Sequence, residues 1–127
     1  MQHLTSVFVV GLGGAIGAMI RLLMTRALPE FVWGVFPFQI FVINISGCFL
    51  MGVLTELMAL YWSPHMHLRS FLTTGVLGGF TTFSAFALEV GLLTDKNMPM
   101  TSFVYVILSV ALSLAAFFVG LKLVRLF

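Results

Sequence analysis

The chain is 127 residues long, 61% hydrophobic and 8% charged, with a formal net charge of +2. Soluble domains carry roughly 25% charged residues, so this composition, with a mean hydropathy of +1.16, describes an integral membrane protein with no soluble domain to hold a separate catalytic site. A pI near 9.1 without any basic cluster excludes nucleic acid as a partner, and the lone Cys48 cannot form an intrachain disulfide.

Four apolar segments follow in order: Leu4 to Leu23, Val35 to Leu60, Ser70 to Leu93 and Thr101 to Leu123. Each reaches the roughly 20 residues that a helix needs to cross a hydrocarbon core about 30 Å thick. The expected fold is a single all-α domain over residues 1–127 with four transmembrane helices.

The first segment has no Lys or Arg between Met1 and Ile20, so it is read as a retained helix and not as a secretory signal. Its GLGGAIG run resembles a nucleotide-binding glycine loop only superficially, because it lies inside a lipid-length apolar run with no strand before it. Gly13 and Gly17, with Gly14 and Ala18 one step behind, instead set small residues at four-residue spacing, which lets membrane helices approach closely. Arg21 falls in the last turns, either as an interfacial end marker or as an electropositive entrance for an anion.

Pro29 and Pro37 stop and restart the helices, and Trp33 suits the headgroup level. In the second segment Asn44 lies about ten residues in, roughly 15 Å deep. Its amide serves there either as interhelical glue or as an N–H donor to an anion. Glu56, roughly 18 Å further along, belongs near the opposite surface. His65 and His67 are two apart, a spacing that suits no metal-ligand set.

The third segment holds the most informative stretch, GVLGGFTTFSAFALE from Gly75 to Glu89. Gly78 and Gly79 each weaken a helix by roughly 1 kcal/mol relative to alanine, and Thr81, Thr82 and Ser84 can draw backbone hydrogen bonds to their side chains. A third helix broken at mid-membrane is expected, tolerated only where protein buries the break or where it lines a cavity or ion site. In the fourth segment Tyr105, Ser109 and Ser113 fall at i, i+4 and i+8, hence on one face. Such a stripe is either a set of packing contacts or a polar track, and its regularity favours a track.

No enzyme chemistry fits these residues. Ser84 has no histidine at membrane depth to act as its base, and no cluster of His, Cys, Asp and Glu could hold a catalytic metal. Passage of a small solute is left. Asn44, Thr81, Thr82, Ser84 and Ser109 offer neutral donors, and the rings of Phe83 and Phe86 offer positive edges, all of which suit an anion. No acidic residue stands near the midplane to serve a proton-coupled cation exporter. Arg69, Lys122 and Arg125 on one side balance Arg21, Arg26 and Lys96 on the other, so the positive-inside rule has nothing to act on and both orientations are open.

Together these residues carry a family resemblance. GLGGAIGAMIR (Gly11 to Arg21), NISGCF (Asn44 to Phe49) and above all GVLGGFTTFSAFALE resemble the Fluc (CrcB-type) family of small fluoride channels, along essentially the whole chain. The resemblance implies an antiparallel, dual-topology homodimer in the cytoplasmic (inner) membrane, whose two pores export fluoride passively and confer fluoride resistance. It implies that Phe83 and Phe86 present ring edges to the ion, that Asn44, Ser84, Tyr105, Ser109 and Ser113 line its path, and that Arg21 stands at the vestibule. It also implies a structural sodium ion (Na+) on the two-fold axis, held by the backbone carbonyls of Gly78 and Thr81 from both subunits. Two positions depart from the family pattern. Gln39 and Ile40 replace a Gly-Thr pair, which removes a hydroxyl at that end of the pore, and Ala85 replaces a frequent Thr or Ser. The rival reading, a small multidrug-type dual-topology exporter, suits the length and span count but expects an acidic residue in the first helix, where this chain has none. A non-transporting assembly subunit is a second rival.

Overall fold

In the computed structural model, which describes residues 1–127, four helices are long and apolar enough to cross a membrane: Gln2–Ala27, Gln39–Leu60, Met66–Asp95 and Pro99–Arg125. In chain order the elements are α1 (Gln2–Ala27), β1 (Phe31–Val32), β2 (Phe36–Pro37), α2 (Gln39–Leu60), α3 (Met66–Ser70), a π-helical stretch (Phe71–Leu77), α4 (Gly78–Phe80), α5 (Phe83–Asp95) and α6 (Pro99–Arg125). The third span is thus composite.

The expected helices are all present, with ends shifted by a few residues. The second apolar segment starts at Val35, but its helix begins at Gln39, just after the restart expected at Pro37, and Phe36 and Pro37 pair antiparallel with Val32 and Phe31. Trp33 and Gly34 turn this small hairpin with φ of 52° and 80°, and Trp33 projects outward at its tip. Gln39 then closes the junction. Its Nε2 donates to the carbonyls of Thr25 at 2.6 Å and Leu28 at 3.0 Å, serving the acceptors that a helix C-terminus leaves without partners.

Two pairs of helices meet through glycine. The only buried residues of α1 are Gly13 and Gly17. A Cβ on Gly13 would lie 2.6 Å from the Phe71 carbonyl oxygen, one on Gly75 would lie 2.9 Å from Gly13 Cα, and one on Gly17 would run into the Val76 carbonyl. Backbone therefore packs on backbone between α1 and the third span, as small-residue spacing permits in a membrane. In the other pair, Gly52 of α2 faces the Phe117 carbonyl and Gly120 of α6 faces the Phe49 carbonyl. Between the pairs lies a core of Phe36, Ile40, Ile43, Phe80, Phe86, Leu93 and Tyr105. Leu4, Phe8, Leu12, Phe103, Ile107 and Phe118 point outward. Glu56, expected as an interfacial carboxylate, is buried and accepts from Arg125 Nε at 2.6 Å and Nη2 at 3.4 Å.

The expected interruption of the third span is found, at the threonines of the stretch and not at its glycines. Gly78 to Phe80 stay helical, and the backbone becomes extended at Thr81 (φ −79°, ψ 155°) and Thr82 (φ −152°, ψ 122°). Sequence reading did not anticipate the π-helical stretch before it, where i→i+5 bonding replaces i→i+4.

Candidate functional site

The break is held open by side chains that take over backbone hydrogen bonds. Thr81 closes the helix before it: its N–H and its Oγ1 each donate to the Leu77 carbonyl at 3.0 Å. Thr82 opens the next helix as an N-cap, accepting at Oγ1 from the Ala85 N–H at 3.1 Å. The backbone of Thr82 itself pairs with Asn44. The Thr82 N–H donates to Asn44 Oδ1 at 2.8 Å, and Asn44 Nδ2 donates to the Thr82 carbonyl at 3.0 Å. Asn44 therefore acts as interhelical glue, and because its amide carries two N–H donors it keeps one for another partner.

These diversions leave two carbonyls free. In a continuous helix the Thr82 N–H would serve the Gly78 carbonyl and the Ala85 N–H would serve that of Thr81. Both amides bond side chains instead, and no other backbone amide reaches either carbonyl across the break. Gly78 lies exposed on the surface of the chain. Unwound backbone carbonyls are the ligands that hold Na+ in membrane proteins, so the donor set at Gly78 and Thr81 fits a small hard cation.

Two grooves flank the break. The first, about 230 Å³, is lined by Asn44, Cys48, Thr81, Thr82, Phe83, Phe86, Ser109, Val110 and Ser113. The Phe83 and Phe86 rings lie 5.3 Å apart, and Tyr105 stands 5.4 Å behind Phe86. Tyr105 is fully buried, and neither its hydroxyl nor Ser109 Oγ has a hydrogen-bond partner within the chain. An unpaired buried hydroxyl costs about 1–3 kcal/mol, and Ser109 carries one within the groove wall.

The second groove, about 520 Å³, includes Arg21, Thr25, Ile40, Thr82, Ser84 and Leu88 in its walls. Ser84 Oγ lies 3.2 Å from Thr82 Oγ1. Neither groove is lined by Asp or Glu.

The structure thus brings together Asn44, Phe83, Phe86, Ser109 and Ser113 from the predicted path, and Tyr105 meets them through Phe86. It places Ser84 on the other side of the break with Arg21. Ile40, where a hydroxyl is usual in the resembling family, adds an apolar wall to that second groove. Thr81 and Thr82, read in the sequence as neutral donors, also line the first groove, and so does Cys48, which sequence reading took as a packing residue. For Thr82 a signal existed, since a threonine before an apolar helical run is a favoured N-cap.

Comparison with known proteins agrees with this architecture. The family described as CrcB-like protein, Camphor Resistance (CrcB), matches residues 8–121. A protein of Chelativorans sp. (strain BNC1), named fluoride-specific ion channel FluC, is 43% identical over 125 residues, which cover 98% of each chain. Proteins of the same name from Rhizobium meliloti (strain 1021) and Rhodopseudomonas palustris (strain BisB5) are 42% and 41% identical. The first of these covers 98% of both chains, and the second covers 91% of this chain and 94% of its own. With four apolar helices and a match over nearly its whole length, this multi-pass membrane protein belongs to the CrcB-like family.

Proposed function

We propose that the chain is a subunit of a fluoride-selective channel that lets fluoride leave the cytoplasm passively. The observation that carries this reading is the first groove, which gathers Asn44, Phe83, Phe86, Ser109 and Ser113 at the helix break with no acidic side chain among them. The name shared by the relatives supports it. A channel is not an enzyme, and no residue is assigned a catalytic role.

Fluoride is small and strongly hydrated, so its path must replace water with several donors at short range. The free N–H of Asn44 and the hydroxyls of Ser109 and Ser113 are such donors, and Phe83 and Phe86 add the positive edges of their rings. Arg21 and Ser84 form the vestibule, where a fixed positive charge raises the local anion concentration. Phe83 is 78% exposed on a single chain, and in this reading a second copy would complete the wall beside it. An antiparallel homodimer with two pores provides that copy, and the balanced basic residues permit both orientations. The carbonyls of Gly78 and Thr81 from the two copies would hold sodium on the two-fold axis, and the bound ion supplies a fixed positive charge near the anion path. Export across the cytoplasmic (inner) membrane would then confer fluoride resistance.

Purified protein in liposomes tests the proposal. Fluoride-loaded vesicles should empty and chloride-loaded vesicles should retain their contents. Folded, reconstituted protein that passes no fluoride would overturn the reading.

A further inference from the structure

Cys48 is the one nucleophilic side chain in the first groove. It stands four residues after Asn44 on α2, so the two side chains share a helix face. Cys48 is half-buried and lines the groove beside Ser113 of α6. On α6, which packs against α2, Ser109 lines the same groove. Ser109 is only 5% exposed and its Oγ has no hydrogen-bond partner within the chain. The thiol and this unpartnered hydroxyl thus belong to one groove.

We infer that Cys48 lines the fluoride path one helical turn beyond Asn44, and that its thiol is a modification site through which small neutral thiol-directed reagents close that path. This rests on the channel reading. With methyl methanethiosulfonate, the Cys48 sulfur attacks the reagent's sulfenyl sulfur and a new S–S bond forms. The reagent's own S–S bond breaks, methanesulfinate leaves with the electron pair, and the thiol proton passes to water. The methylthio group then fills space beside Asn44 and Ser113, and it replaces a weak S–H donor by an apolar cap. A strongly hydrated anion does not cross a stretch whose donors are screened in this way. Because the chain has a single cysteine, any thiol adduct is on Cys48.

The test uses the assembled protein in liposomes. Fluoride efflux is recorded before any reagent, which examines the channel reading alone; absence of efflux at that point removes both that reading and this inference. Vesicles that pass fluoride are then treated with methyl methanethiosulfonate, and intact mass follows the adduct. The expected result is one adduct per chain and efflux slowed at least about tenfold, recovered after a thiol reductant. In the Cys48→Ser protein, whatever its own rate, the ratio of treated to untreated efflux should stay at unity. An adduct with unchanged efflux overturns the inference. So does equal inhibition of Cys48→Ser, or a folded protein that takes no adduct while the same protein denatured in detergent takes it readily.

Discussion

Both ends of the Asn44 amide are engaged by the backbone of Thr82, so leucine at this position would strand an N–H and a C=O inside the membrane. Each stranded group costs about 1–3 kcal/mol. Asn44→Leu is expected to lower the thermal midpoint of the detergent-solubilised protein and to abolish fluoride efflux. Asn44→Asp keeps an acceptor for the Thr82 N–H and should unfold at a higher temperature than Asn44→Leu; equal midpoints would mean that the clamp contributes nothing. The two phenylalanines separate differently. Phe83→Ile and Phe86→Ile should both abolish efflux. Phe86, however, is 7% exposed and wedged between Phe83 and Tyr105, so only its replacement should also cost stability, about 0.5–3 kcal/mol. Efflux and thermal unfolding measured on both variants check this, and normal efflux in Phe83→Ile would reduce that ring to a surface contact. Asn44 and the stripe of Tyr105, Ser109 and Ser113 stood out in the sequence as polar groups at mid-membrane, whereas Phe83 and Phe86 were singled out by the family resemblance. Their unequal burial was hidden, because Tyr105 sets it from another helix.

At the scale of elements, the small-residue face of α1 was readable from spacing alone, whereas the third-span glycines that meet it were read only as helix weakeners, and the structure assigns the α1 glycines different tolerances. A methyl on Gly17 meets the Val76 carbonyl, whereas one on Gly11 meets nothing within 4 Å. Gly17→Ala should therefore destabilise by about 1–3 kcal/mol through overpacking. Gly11→Ala should be neutral or stabilising, since alanine is the better helix former by about 1 kcal/mol. Denaturation of the two variants side by side decides the matter, and similar behaviour would sink the backbone-contact account. Other elements left no local trace. Pro37 marked where α2 would restart, but hydropathy runs unbroken through Phe36 and Pro37 and nothing marked their pairing with Val32 and Phe31. Nothing in the side chains of Phe71 to Leu77 announces i→i+5 bonding. Gly78 and Gly79 suggested where the third span would break, yet helical bonding persists past them until Thr81 and Thr82 find side-chain partners. The pairing of Glu56 with Arg125 joins residues 69 positions apart and could not be read from either segment.

For the whole molecule, composition alone disclosed four spans, and balanced charge suggested how copies would insert. Reporters fused to the C-terminus should report both sides of the membrane, and a single clear orientation would refute dual insertion. The assembly was not legible beyond that, because contacts between copies leave no periodic signal in one chain. The clamp between Asn44 and Thr82, which are 38 residues apart, also bears on how the protein is made. The asparagine belongs to the helix synthesised first, so when Thr82 emerges from the ribosome a partner for its backbone already exists. Unpaired peptide groups are barred from lipid, and α2 and the broken span are therefore expected to enter the bilayer together as a hairpin. The order of translation, as much as the final packing, is then expected to keep the Thr82 peptide from facing hydrocarbon without a partner.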